Sequence, residues 1–249
     1  MTNPSPLPSL TDGYRALVFG ASGGIGSAFV QALAGDDRCA SVHATSRQGL
    51  PETAKTIPLL CDITDEANIK AAIAQACTQS PPDLVIVATG MLHDATQNPE
   101  KTFRTLDPIA LAKAYAINAI GPALIAKHVL PRLPRDRKTV FAALSARVSS
   151  LSDNHTGGWH AYRASKAALN MLVRNCAIEL AMRNKPSVCV TLHPGTVDTA
   201  LSKPFQSGLP AKQLFTPAQS ASHLLRVIDQ LTPNHTGQLF AWDGKPIPF

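Results

Sequence analysis

The stretch that most constrains the fold lies near the start of the chain. Residues 14–19, Tyr-Arg-Ala-Leu-Val-Phe, form a short apolar run suited to a buried parallel strand. The run ends abruptly in Gly20-Ala21-Ser22-Gly23-Gly24-Ile25-Gly26, after which residues 27–34 read as a helix. Strand, glycine loop and helix in that order put a helix N-terminus at the end of a strand, where free amides and the macrodipole attract an anion such as a pyrophosphate. Gly20 allows the sharp exit from the strand, Gly24 the close approach of a phosphate, and Gly26 the packing of helix on sheet. The spacing is G-x-x-x-G-x-G rather than G-x-G-x-x-G.

Further strand-like runs follow at residues 40–45, 57–62, 83–88, 138–144, 187–192 and 237–242. Helical patterns separate them at residues 65–78, 109–130, 160–183 and 216–231. Strands alternating with helices predict an α/β fold, a Rossmann-type doubly wound parallel sheet of seven strands with helices on both faces. No repeat or linker divides the chain, so residues 13–249 are expected to form one domain. Residues 1–12, rich in Pro, Ser and Thr, are expected to be a flexible arm. They lack the basic start and apolar core of a signal peptide, and no apolar run is expected to reach transmembrane length.

The bulk properties exclude some functions. Hydrophobic residues make up 45% of the chain and charged ones 16%, which argues against disorder. The net charge of +6 is scattered, apart from Arg132, Arg135, Arg137 and Lys138, which sit among prolines without interleaved aromatics. That cluster reads as a solvated loop and not as a nucleic-acid surface. Five cysteines without C-x-x-C spacing read as reduced core residues of a cytoplasmic protein. The histidines share no zinc spacing, so no metal site is expected.

Several residues carry possible chemistry. Tyr162 and Lys166 stand four apart on the 160–183 helix and project from one face. An ammonium beside a phenol favours the phenolate, and a phenol so adjusted can exchange a proton with a carbonyl or carbinol oxygen. A YxxxK pair on its own is more often an ordinary surface pair. The second strand ends in Ser46-Arg47 without a carboxylate, a pairing suited to a ribose 2′-phosphate. Asp62 ends the third strand, placed to meet an adenine amino group. Pro122 cannot donate an N–H to the carbonyl of Asn118, so the helix should kink and leave that carbonyl to a water or to mere packing. Residues 200–215 alternate apolar residues with Pro and Gly, as a substrate lid does.

Taken together, the Gly20/Gly24/Gly26 loop, Asp62, Asn118, a serine after the fifth strand, Tyr162-x-x-x-Lys166 and Pro194-Gly195 resemble the short-chain dehydrogenase/reductase family. The Thr89-Gly90-Met91-Leu92-His93, Leu144-Ser145-Ala146-Arg147 and Gly157-Gly158-Trp159 stretches resemble its sniffer and C-factor-like carbonyl reductases. The resemblance implies hydride transfer between NADP(H), preferred over NAD(H), and a small carbonyl or alcohol substrate. Tyr162 would move the proton, Lys166 would lower the tyrosine pKa and hold the ribose, and Ser145, or failing that Ser149, would polarise the substrate oxygen. Asn118 would hold a relay water. Ser22, Ile25, Ile63, Thr89, Gly90, Pro194, Gly195, Val197 and Thr199 would complete the cofactor contacts, and a homodimer or homotetramer is implied. The chain departs from the family pattern at Val87-Ala88-Thr89-Gly90, where an asparagine that braces the sheet is missing and the Thr89 hydroxyl is expected to substitute. The C-factor likeness also implies an alternative, a dinucleotide-binding signalling protein with little turnover.

Overall fold

The computed structural model describes residues 5–207 and 213–249. Its central sheet comprises β1 (Tyr14–Phe19), β2 (Cys39–Ser46), β3 (Thr56–Leu60), β4 (Leu84–Val87), β5 (Thr139–Leu144), β6 (Ser187–His193), β9 (Leu239–Ala241) and β10 (Pro246–Ile247). The strands lie in the order β3-β2-β1-β4-β5-β6-β9-β10. All neighbouring pairs are parallel except the last. The eighth strand, against the seven expected, is a two-residue antiparallel return too short for side-chain alternation to reveal. A separate two-stranded ribbon joins β7 (Thr196–Val197) to β8 (Leu214–Phe215). Pro58 sits within β3, an edge strand, where a missing donor costs the sheet least.

Alternation along the strands sorts the core into two layers. Ala16 and Val18 of β1 pack beneath α1 (Gly24–Ala34) and α6 (Pro217–Gln230). Leu17 and Phe19 point the other way, toward α2 (Glu66–Ala76), α4 (Gly121–Val129) and α5 (His160–Arg183). Period-two burial on both faces explains why the strands read as unbroken apolar runs. Asp65 caps α2 through the amide of Ala67 at 2.8 Å, and Thr216 with Gln219 forms a reciprocal capping box on α6.

The helix expected over residues 109–130 is divided. α3 (Pro108–Tyr115) runs into a π-helical turn, Ala116–Ile120, and then into α4. Gly121 donates its N–H to Ala116, five residues back. The discontinuity expected at Pro122 is therefore absorbed as a widened turn just ahead of the proline. By length and composition the helical stretch Pro108–Arg132 could cross a membrane, contrary to the sequence reading, with a mean hydropathy of 1.5 over an 18-residue window. Within the fold its apolar residues Ala119, Ile125, Ala126 and Val129 are buried in the second layer.

The arm also differs from expectation over residues 5–12. Leu7 and Leu10 are buried in the first layer, and Arg38 donates to the carbonyls of Leu7 (3.2 Å) and Leu10 (2.7 Å). Two isolated leucines among prolines carry no periodicity from which docking could be read.

Candidate active site

The strand order reverses direction between β1 and β4, the position at which open α/β sheets form a crevice beyond their carboxyl ends. Three adjoining cavities, of about 500, 440 and 310 Å³, run along that edge. The first and second share Gly23, Arg47, Ala88, Thr89 and Gly90; the second and third share Ile25, Ser145, Tyr162, Pro194, Thr199 and Leu201. One trough thus leads from the end of β2 to the head of α5.

The glycine loop forms its floor. Gly20 has φ +81°, and a Cβ on Gly26 would lie 2.1 Å from the Gly20 carbonyl oxygen, so the helix can begin there only without a side chain. A Cβ on Gly24 would lie 2.8 Å from Thr199 Cγ2 across the gap. Ser22 and Gly23 line the first cavity and Ile25 the other two.

At the β2 end, Ser46 and Arg47 face the first cavity with Asp62, Ile63 and Thr64. The Ser46 hydroxyl is buried without a hydrogen-bond partner among the described residues. Among the described residues Arg47 makes no hydrogen bond or ion pair; Asp62 feels its charge only at a distance. The Asp62 carboxylate accepts from the Thr64 N–H (2.9 Å) and hydroxyl (2.7 Å), which hold its pKa below the usual range. Lys113 of α3, which no sequence motif marks, lines the opposite wall and pairs with Asp94.

At the other end, Ser145, Tyr162 and Lys166 line the second cavity together. Lys166 is buried and donates to the Leu144 carbonyl at 2.7 Å. Burial raises the Tyr162 phenol to about 12 and pulls the Lys166 ammonium down to about 7. The direction is opposite to that expected for Tyr162: loss of water dominates at both groups, and each is driven toward its neutral form. Ser145 and Ser149 lie 3.3 Å apart. Ser149 lines none of the three cavities; its hydroxyl donates to the Ala146 carbonyl (2.5 Å) and accepts from Asn170 (2.7 Å).

Asn118 sits in the π turn, fully buried. Its side chain accepts from the Met91 N–H and donates to the Met91 carbonyl, both at 2.8 Å, and donates to Ser165 at 3.0 Å. The bracing expected of Thr89 is therefore performed by Asn118, while the Thr89 hydroxyl is buried without a partner among the described residues. Gly90 fits closely beside this clamp: a Cβ there would lie 3.4 Å from Lys166 Nζ.

The third cavity has mainly apolar walls, with Leu92, Val148, Trp159 and Phe205 around Tyr162. Trp159 adopts φ +51°, a left-handed conformation uncommon outside glycine, and packs 5.0 Å from the Phe205 ring. Its N–H is held by the carbonyl of Glu100, whose carboxylate also accepts from the Ala161 N–H at 3.2 Å. Nothing in the polar 91–107 stretch marks Glu100 as the cap of α5. His93 donates from Nε2 toward the Ala200 (3.2 Å) and Leu201 (3.1 Å) carbonyls, tying the start of the expected lid to the loop after β4. Residues 208–212 of that lid lie outside the described residues. Pro194, Gly195 (φ +78°) and Val197 form the remaining wall, and Thr199 donates to the Val197 carbonyl at 3.4 Å.

A glycine loop with no room for side chains and a half-buried tyrosine one helical turn from a buried lysine share this crevice. Residues 14–209 match the family model described as short chain dehydrogenase, and the chain belongs to that family. It is 39% identical over 144 residues to the C-signal of Myxococcus xanthus, a match covering 58% of this chain and 81% of that one. An NADPH-bound carbonyl reductase from chicken fatty liver superposes with a TM-score of 0.82 at 27% identity, covering 97% of this chain and 96% of the other. The carbonyl reductase Sniffer of D. melanogaster shares the fold, with a TM-score of 0.76 at 20% identity over 95% and 99% of the two chains.

Proposed function

We propose that the protein is an NADP(H)-dependent reductase of aldehydes or ketones. The observation that carries the cofactor preference is the end of β2, where the Arg47 guanidinium and the Ser46 hydroxyl stand together, neither partnered among the described residues. A 2′-phosphate would satisfy both, and no carboxylate at that strand end repels it. Gly20, Ser22, Gly24 and Gly26 fit the pyrophosphate; Asp62 and Ile63 fit the adenine; Thr89, Gly90, Lys166, Pro194, Gly195, Val197 and Thr199 fit the nicotinamide half.

The cofactor supplies the hydride. Tyr162 is neutral at pH 7, burial raising its pKa further to about 12, and so is in the protonation state needed to donate a proton to a carbonyl oxygen. Ser145 stands beside it to polarise that oxygen. Lys166 would orient the ribose hydroxyls, and the clamp of Asn118 on Met91 and Ser165 fixes the wall behind Lys166. A main-chain relay water at Asn118 completes the proposal, and assembly as a homodimer or homotetramer in the cytoplasm goes with it.

The test is NADPH oxidation against a panel of aldehydes and ketones, with NADH in parallel and Tyr162→Phe as the control. NADPH is expected to give kcat/KM at least ten-fold above NADH, and Tyr162→Phe to lose at least a hundred-fold. Full activity in that variant would remove Tyr162 from the mechanism. The likeness to the C-signal favours a second reading, a dinucleotide-binding signalling protein. Tight NADPH binding by calorimetry without turnover of any carbonyl would select it.

A further inference from the structure

The third cavity carries a feature that the proton and hydride chemistry does not use. Among the described residues no aspartate or glutamate lines it, and Arg147 is its one fully charged side chain. Arg147 belongs to neither of the two cavities assigned to the dinucleotide, so its guanidinium serves the substrate side. Its side chain makes one hydrogen bond among the described residues, to Asp153 at 3.3 Å, with both groups half-exposed. Exposed pairs of that kind contribute about 0–1 kcal/mol, so Asp153 is readily exchanged for a better acceptor.

A second polar group faces the same space. His193, at the end of β6, lines the cavity, and its Nδ1 is buried with no hydrogen-bond partner among the described residues. Burial, reinforced by the nearby Arg147 charge and partly opposed by the Asp243 carboxylate, pulls the imidazole down to about 4. The ring is therefore neutral at pH 7 and offers one N–H and one lone pair. A guanidinium and a neutral imidazole without a partner, set in a wall of Leu92, Val148, Trp159 and Phe205, form a recognition pattern for one ligand chemistry: an apolar body ending in an anion.

We propose that the substrate carries a carboxylate on an apolar or aromatic frame, bound by Arg147 and His193 while its carbonyl lies at Tyr162. This rests on the reductase reading for the position of the carbonyl. The carboxylate would replace Asp153 on Arg147 and take a hydrogen bond from the imidazole, and its charge would orient the frame within the pocket.

The experiment compares 4-formylbenzoate with its methyl ester, which share the aldehyde and frame and differ in charge, using NADPH and the full-length protein. The acid is expected to give kcat/KM at least ten-fold above the ester, mainly through KM. Arg147→Gln should collapse that ratio toward one, and Asp153→Asn, which frees the guanidinium, should raise it about two- to five-fold. An ester turned over as well as the acid, or a ratio that Arg147→Gln leaves intact, overturns the proposal. If neither aldehyde is reduced, the reductase reading fails by itself. Calorimetry with benzene-1,4-dicarboxylate then decides the anion site: binding lost in Arg147→Gln supports it, and no binding, or equal binding in both proteins, overturns it.

Discussion

At Lys166 an ammonium has lost nearly all of its water and gained the Leu144 carbonyl, 2.7 Å away. One carbonyl does not replace a hydration shell, so the folded protein holds this amine at about 7, against 10.5 for the ordinary group. The lowered value disfavours the charged form in the native state. The stability it leaves intact is fully present above pH 10.5 and is lost as the pH falls toward 7. Lys166→Met removes that dependence. In the cofactor-free protein, urea denaturation across pH 7–10 should show the variant gaining on the wild type as the pH falls. The gain should approach about 1.4 kcal/mol for each pH step of one within that window, the slope of a single proton taken up on unfolding. A stability difference that stays constant across the window would show that the buried amine does not titrate there. Tyr162 contributes little to this slope below about pH 9, where both the folded phenol, whose pKa burial raises, and the unfolded one stay protonated.

The π turn between α3 and α4 is the element that ties the crevice together. It places the Asn118 amide across from β4, where one side chain satisfies both backbone groups of Met91 and reaches Ser165 on α5. Truncation would leave a buried N–H and a buried carbonyl without partners, at about 1–3 kcal/mol each. Asn118→Ala should therefore destabilise the protein by about 2–4 kcal/mol in urea denaturation and lower kcat by at least ten-fold as the wall behind Lys166 loosens. A variant with wild-type stability would mean that water replaces the clamp. Elements of this kind show how far the sequence could be read. Pro122 announces a break in the helix because a missing N–H is a local fact, but whether the break becomes a kink or a widened turn depends on what packs around it. The strands and the glycine loop are legible because burial on both faces leaves continuous apolar runs and because Gly26 admits no Cβ. Lys113, Glu100 and Arg147 are not, since each reaches its cavity or partner along a path that only the tertiary fold sets. The raised pKa of Tyr162, expected from the sequence to be lowered, has the same origin: spacing reveals a neighbouring charge but not the depth of burial.

At the scale of the whole molecule, the two ends of the sheet divide the work. The crevice occupies the carboxyl ends of the strands, and the N-terminal segment closes the opposite end. There Leu7 and Leu10 complete the layer under α1 and α6. Polar contacts fix their path: Ser5 donates to Asp36 at 2.6 Å, the Ser9 N–H donates to Asp229 at 2.8 Å, and Lys138 donates to the Ser9 hydroxyl at 2.8 Å. Asp36 and Arg38 precede β2, and Lys138 precedes β5, so every anchor lies away from Arg47, Ser145 and Tyr162. Stability and catalysis should then separate. Leu7 is fully buried, and Leu7→Ala should cost about 2–5 kcal/mol from lost transfer energy and an incompletely filled cavity. Deletion of residues 1–10 removes both leucines and the anchors together and should cost at least as much. In both variants kcat/KM at 25 °C should stay within two-fold of the wild type wherever the protein remains folded. Chemical denaturation and NADPH-linked assays on the same samples provide the check. An arm that mattered to catalysis would give the reverse pattern, with activity lost and the denaturation midpoint unchanged.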